Sequence, residues 1–507
     1  MPSPADIISV GSGQVPVYGG WGGPVRAATA LTVVDFPDLT QYQRDTSGLG
    51  KTVNIGFTCA GNPSAIEWRA VDYYSGAPIT SWATLVRNPS ASGSAPAYLP
   101  ASKWAKIQLR DSVNNALTAT TTTRMSVGIK WGFFGQSNMR NRATTAELSP
   151  TGDPQAIIYT NATTPVVKRI GNLNDSVAPN TTFGSPGYSS GPYTPQTDVR
   201  ADGQVYFANL LSEALGMTVM IIERAVIGSD IDDWVSGVPN NHWDKFAAAI
   251  NAMGGDIEGA TWLQGETNAN LMTRSVRLQR LATLHGLCHT LTGRNSSTFK
   301  LFITTIGTGP YGGSSEGEFG IIREADNWYA RNTPGAYLGT SAHDTATGAD
   351  TVHIDGNGHS RVSRREVKSV IASYGIGTSG AGPRIVSASR SGNVVTAMIA
   401  HTGGTALTDG TGGNGSALTG HRFFDAGAGG AQIATTATAI VGNTITYTLA
   451  SIPVGALTMD YAMTNVPHGV ATSVNSFIPA SCVYDNALYH ASTIGCPLQP
   501  CAAIPVT

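Results

Sequence analysis

Charge is what this sequence most lacks. Only 13 % of its 507 residues are Asp, Glu, Lys or Arg, roughly half the 25 % usual for soluble domains. The signs nearly cancel, 31 basic against 33 acidic residues for a net charge of −2. That excludes a nucleic-acid binder driven by bulk charge. No apolar run approaches the ~18 residues of a membrane helix, so no membrane partner is expected. Cysteine is scarce too, and the five present (Cys59, Cys288, Cys482, Cys496, Cys501) do not make the disulfide framework of a small secreted domain. Idle or buried thiols are expected, with room for one bridge among the last three. The first residues, MPSPADIISVGSG, carry neither a basic n-region nor an apolar core of signal-peptide length. The expectation is a signal removed before this numbering or another route out of the cell.

Glycine is abundant, at 60 residues, well above the usual share of about 7 %. With Ser, Thr and Ala it suits turn-rich β structure on an extracellular or virion surface. Hydrophobic residues at 41 % exclude a wholly disordered chain. The length suggests about three domains, and the texture divides accordingly. Residues 1–125 show short alternating runs such as TVNIGFTCA from Thr52, IEWRAVDYY from Ile66 and WAKIQLRD from Trp104, which read as an all-β domain. Over residues 126–376, apolar runs of strand length alternate with helical stretches. The strand candidates begin at Val127, Thr218, Ala260, Lys300 and Ala336. VYFANLLSEALG from Val205, WDKFAAAINAMG from Trp243 and Leu271–Leu291 are helical. This alternation predicts a parallel sheet covered on both faces, with ligands outside the carboxyl ends of its strands. Over residues 377–507 the β texture returns, with Gly-Asn turns expected in the runs from Ile385 and Ala437. No 20–50-residue repeat is present.

Several motif matches fail on context. GYSSG at Gly187–Gly191 fits the nucleophile-elbow pattern but sits in a Pro/Gly/Ser/Tyr loop instead of between a strand and a helix. GTGGNG at Gly410–Gly415 has no helix after it, and SGLGKT has Asp45 where a P-loop needs its first glycine. No HExxH, paired CxxC or other set with zinc spacing appears, so neither a metal nor a cofactor is expected.

Four blocks carry the chemistry. In WGFFGQSNMR a buried strand runs into Gly135-Gln136-Ser137-Asn138, which sets Ser137 at a strand's carboxyl end. Taken alone, such a serine is an ordinary helix N-cap. In ADTVHIDGNGHSR, Asp350 and His353 are spaced to supply a base and the group that orients it. Asp355 and His359 form a rival pair, although His359 is better explained as the start of the following helix. ATWLQGETN brings Gln264, Glu266 and Asn268 to another strand end, and AVIGSDIDDW places Gly228 after the strand from Thr218. A backbone N–H and a side-chain amide are suitable donors for an acyl-transfer oxyanion. Trp234, Tyr188 and Tyr193 are positioned either to stack on a sugar or to anchor loops.

GQSN, the glycine of AVIGSDIDDW, WLQGETN and DTVH occur in the order of the SGNH (GDSL-like) hydrolases. Over Val127–Tyr374 the chain most resembles the sialate O-acetylesterase and acetylxylan esterase branch of carbohydrate esterases. The resemblance implies a flavodoxin-like three-layer α/β/α domain, and the two flanking all-β domains fall outside it. It implies Ser137 as nucleophile, His353 as general base and Asp350 orienting it. The oxyanion would meet the N–H groups of Ser137 and Gly228 and an amide of the third block. That block departs from the superfamily's G-x-N-D, since Thr267 stands where the asparagine should. Gln264 is therefore preferred over Asn268. The second block has Ile227-Gly228 in place of a glycine pair.

The expected function is removal of O-acetyl groups from a carbohydrate through an acetyl-serine intermediate. The rivals are an inactive carbohydrate-binding or tail structural protein and a lipase- or thioesterase-like enzyme. The expected partners are an acetylated carbohydrate and further copies of the chain or a larger assembly such as a phage tail, with no nucleic acid. The expected place of action is outside the cell.

Overall fold

The computed structural model describes residues 26–38, 40–140, 156–160, 166–169, 202–239, 241–269, 271–309, 318–347, 353–465, 467–468, 479, 481–488 and 495–507. The chain divides into two compact units. The first holds residues 26–37, Thr52–Ala97 and Ala105–Arg124, and the second holds Asp38–Lys51, Tyr98–Trp104 and Met125–Thr507.

The leading strands are β1 (Ala30–Val33), β2 (Thr40–Gln43), β3 (Gly50–Ala60), β4 (Ala65–Asp72), β5 (Ala83–Arg87), β6 (Ser92–Pro100), β7 (Ala105–Asp111) and β8 (Thr118–Thr120). In the first unit β1, β3 and β6 share a sheet, while β4 pairs antiparallel with β5 and β7. Val53, Ile55, Phe57 and Cys59 all face inward along β3. This two-residue period makes the segment a half-buried strand.

The second unit is built on β9 (Met125–Gly135), which is buried at every position. After it come α1 (Ser137–Arg140), β10 (Ala156–Thr160), β11 (Val166–Arg169), α2 (Asp202–Leu215), β12 (Val219–Ala225), α3 (Asp232–Val235) and α4 (His242–Ala252). Next are β13 (Gly259–Leu263), α5 (Arg274–Thr292), β14 (Lys300–Thr304), α6 (Glu318–Asn332), β15 (Ala336–Thr340) and α7 (Gly356–Ala372). The strand order is β11-β10-β12-β9-β13-β14-β15. Every neighbouring pair from β10 to β15 is parallel, whereas β10 and β11 are antiparallel.

Successive strand residues go to different apolar clusters. Phe134, Ile222, Trp262 and Ile303 join residues of α4, α5 and α6. Their chain neighbours Phe133, Ile221, Leu263 and Phe302 join residues of α2, α6 and α7. Near-continuous apolar strands are the consequence of burial on both faces.

Beyond α7 lie β16 (Arg384–Ser391), β17 (Val394–Ala400), β18 (Leu407–Asp409), β19 (His421–Asp425), β20 (Ala431–Ile433) and β21 (Thr435–Val441). They are followed by β22 (Thr444–Leu449), β23 (Leu457–Tyr461), β24 (Val483–Asp485) and β25 (Cys501–Val506). An eight-stranded sheet in the order β20-β19-β23-β25-β16-β17-β22-β21 covers its own core, which includes Phe423, Ile445 and Met459. The two Gly-Asn turns form here, with Gly392 and Gly442 at φ +61° and +58°. Primed hairpin turns need that left-handed backbone. All five cysteines are unpaired thiols. Among the described residues no helix is long and apolar enough to cross a membrane.

Buried cations tie these parts of the second unit together. Arg323 of α6 donates to the carbonyls of Ile306, Gly307, Ala462, Thr464 and Asn465. Beside it a Cβ on Gly320 would stand 2.0 Å from the Met463 carbonyl oxygen, so only glycine allows that approach. Arg44, which follows β2, donates from Nε (2.7 Å) and a terminal nitrogen (2.5 Å) to the Glu258 carboxylate. Tyr374 donates its hydroxyl to the same carboxylate at 2.8 Å. Burial by itself would raise the Glu258 pKa, but the hydrogen bonds and charge of Arg44 outweigh it and hold the carboxyl below its ordinary value.

A carboxyl so depressed contributes stability above its unfolded pKa of about 4.3 and loses it as pH falls through the folded value. Glu258→Gln should cost about 3–5 kcal/mol at pH 7 by leaving Arg44 buried without its counter-charge. Urea unfolding at stepped pH should show the deficit shrinking below about pH 5. A deficit that stays constant down to pH 3 would contradict this account.

Candidate active site

The site grows from the carboxyl end of β9, the strand flanked by β12 and β13. Gly135 has φ +147°, and a Cβ there would stand 2.0 Å from the Leu263 carbonyl oxygen. The Gln136 N–H donates to that same oxygen at 3.0 Å. Pinned against β13, the chain turns at once into α1, whose first residue is Ser137.

Ser137 is 3 % exposed, and its Oγ lies 2.8 Å from Nε2 of half-buried His353. His353 reaches it from the segment before α7. Asp355, of the rival pair, instead caps α7, accepting from the Gly358 N–H at 2.6 Å. His359 is buried within that helix. Asp350, Tyr188 and Tyr193 lie outside the described residues.

Asn138 joins the two segments. Its Oδ1 accepts from the Ile354 N–H at 3.0 Å, and its Nδ2 donates to Glu266 Oε1 at 2.5 Å. The serine turn and the histidine segment are thereby fixed to one side chain. Glu266 is buried, which raises its carboxyl pKa above the ordinary value, with the Asn138 amide pulling the other way. Gln136 adds a further tie, its Oε1 accepting from the Gly265 N–H at 3.1 Å. Sequence reasoning assigned no role to Gln136 or Asn138. The available signal was that polar side chains beside a buried strand end must find partners.

The two amides of the third block are engaged differently. Gln264 Nε2 donates to the Ser229 carbonyl (3.0 Å) and to Asn268 Oδ1 (2.5 Å), and its Oε1 accepts from Arg277 (2.6 Å). Both of its N–H bonds are committed, so this amide is not free to meet an oxyanion. Arg277 is itself fixed by the fully buried Asp326. Asn268 differs: its Oδ1 also accepts from the Ile231 N–H at 3.0 Å, while its buried Nδ2 has no partner among the described residues. Gly228 sits at φ +67° with open space where a Cβ would stand.

Trp234 requires a correction as well. It is 0 % exposed, packs edge-on against Phe134 and Trp262, and donates its indole N–H to Ser229 Oγ. It is a core anchor and offers no face to a sugar. Among the described residues the arrangement holds a serine hydroxyl within hydrogen-bond reach of an imidazole nitrogen and a buried amide nitrogen, Asn268 Nδ2, without a partner. That is the equipment of nucleophilic acyl transfer.

Residues 131–372 match the family described as carbohydrate esterase, sialic acid-specific acetylesterase. The fold is similar to that of a carbohydrate acetylesterase from Xanthomonas citri, at 15 % identity and a TM-score of 0.61, over 93 % of this chain and 99 % of that one. The likeness is one of fold, and it extends beyond the matched segment into the β regions. A carbohydrate acetylesterase from Sinorhizobium meliloti aligns at 13 % identity and a TM-score of 0.28, over 48 % of this chain and 99 % of its own. A family two carbohydrate esterase from Clostridium thermocellum aligns at 11 % and 0.30, over 64 % and 93 %. No curated protein matches the sequence.

Gly135→Ala tests the turn. An L-residue held at this φ costs about 1–3 kcal/mol, and the clash with Leu263 must move the turn. Labelling of Ser137 by a fluorophosphonate should slow by about 10²-fold, as expected for a misplacement near 1 Å. Unchanged labelling with lowered stability would show that Gly135 does not set the serine's position.

Proposed function

We propose, from the match of residues 131–372 to the carbohydrate esterase family of sialic acid-specific acetylesterases, that this domain removes O-acetyl groups from a carbohydrate by way of an acetyl-serine. The observation that carries the reading is the 2.8 Å contact between Ser137 Oγ and His353 Nε2 at the carboxyl end of the central strand. In this mechanism His353 takes the hydroxyl proton as Ser137 attacks the acetyl carbonyl carbon. The tetrahedral oxyanion is held by the N–H groups of Ser137 and Gly228 and by Asn268 Nδ2. His353 then returns the proton to the departing sugar oxygen. Water, activated by the same imidazole, releases acetate and restores the serine.

Asp350 takes the orienting role in this reading on the strength of the DTVH block. Asn138 holds the distance between the two reacting side chains through Ile354. The parallel pairing of β10 to β15 and the two apolar clusters support a flavodoxin-like three-layer α/β/α domain over residues 126–376, with β domains at 1–125 and 377–507. Low charge and glycine-rich β flanks support an exported or virion-borne enzyme acting on surface polysaccharide.

Acetate release from O-acetylated polysaccharides tests the reaction. Ser137→Ala should abolish release, and Asn268→Ala should lower kcat by about 10²–10³ with little change in KM. Gln264→Ala should show its main effect on stability, since its bonds hold the strand end together. Full release by Ser137→Ala would remove this serine as nucleophile. Cleavage confined to long-chain acyl esters would move the substrate away from acetylated sugars.

A further inference from the structure

Away from Ser137, a second group of reactive side chains meets inside the second unit. His343 lies on the segment after β15, the same connection that goes on to His353. It is 0 % exposed, and neither ring nitrogen has a hydrogen-bond partner among the described residues. Two side chains from the C-terminal region approach it, His468 and Cys482, both buried. One donor atom from each of the three lies within 4.8 Å of the others. The Tyr461 hydroxyl at the end of β23 is 3.4 Å from His468 Nε2 and 3.4 Å from Cys482 Sγ. The His343 ring is 5.3 Å from that of His468 and stands edge-on to Tyr461 at 5.7 Å.

We propose that His343, His468 and Cys482 bind a zinc ion, with the Tyr461 oxygen as the fourth donor, and that the ion clamps the C-terminal β region to the connection bearing His353. Two imidazoles and a thiol are a donor set for a borderline-soft cation and a poor one for calcium or magnesium, which take oxygen ligands. Tetrahedral zinc with bonds of 2.0–2.3 Å sets its ligand atoms roughly 3.3–3.8 Å apart, so the cluster closes by about 1 Å on binding. Complete burial and four protein donors make this a closed, structural centre, unlike a catalytic one with a position for water. Binding expels the Cys482 thiol proton to solvent as the thiolate–zinc bond forms, and Tyr461 coordinates as the neutral phenol. Next along the chain Asp344 is gripped by both terminal nitrogens of Arg365, at 2.9 and 2.8 Å, and by the Tyr484 hydroxyl at 3.0 Å. That network fixes the backbone that carries His343. No spacing motif marks the site, because its ligands come from distant parts of the chain.

The test uses the full-length protein, stripped with a chelator and titrated with cobalt(II) and then zinc. About one zinc per chain should survive dialysis, and cobalt should show thiolate charge-transfer absorption that zinc displaces. Cys482→Ser should lose the absorption while keeping its circular dichroism, and Cys496→Ser should retain it. Zinc should raise the wild-type Tm by roughly 2–4 °C or more and leave that of Cys482→Ser unchanged. If Cys482→Ser does not fold, His468→Gln serves as the second variant. Failure of the wild type to retain zinc or to show the thiolate absorption overturns the proposal. So does an absorption that persists in a folded Cys482→Ser or His468→Gln.

Discussion

The second unit depends on a strand that has no room for a side chain where it ends. β9 is buried along its whole length, and at Gly135 its backbone comes so close to β13 that a Cβ would meet the Leu263 carbonyl. A chain held that way cannot continue as a strand. Its next N–H is spent on Leu263, and the turn delivers Ser137 to the rim of the sheet. Serine position thus follows from backbone sterics, with no demand on a flexible loop.

Around that turn, most of the buried polar side chains pair with one another. Gln136, Asn138, Gln264 and Arg277 commit their amides and guanidinium to backbone and side-chain partners across three strand ends. Dense pairing keeps the geometry fixed before any ligand arrives, the condition for electrostatic stabilisation of a developing charge. Against that background an uncommitted donor is informative. Asn268 Nδ2 stands out because its neighbour Gln264 has nothing left to give.

Burial of polar groups also explains how the C-terminal β region is held. Arg323 caps a row of carbonyls that would otherwise be buried without a partner, and Gly320 lets two backbones touch. His343, His468 and Cys482 meet at the same seam. Beside His343, Asp344 accepts the hydroxyl of Tyr484 from the C-terminal region.

Much of this was legible in the sequence. Hydrophobic period separated strands from helices, Gly-Asn pairs marked the hairpins, and the block order GQSN, IGSD, QGETN and DTVH brought Ser137 and His353 into one hypothesis. Those signals are local, set by residues within a few positions of one another. What tertiary structure alone decided depends on partners far along the chain. Trp234 became a core anchor because Phe134 and Trp262 enclose it. Gln264 has no N–H left for a ligand because the Ser229 carbonyl and Asn268 Oδ1 take both. The cluster of His343, His468 and Cys482 exists only where two distant regions fold together. A sequence records which donors a chain possesses, and the fold decides which of them remain unspent.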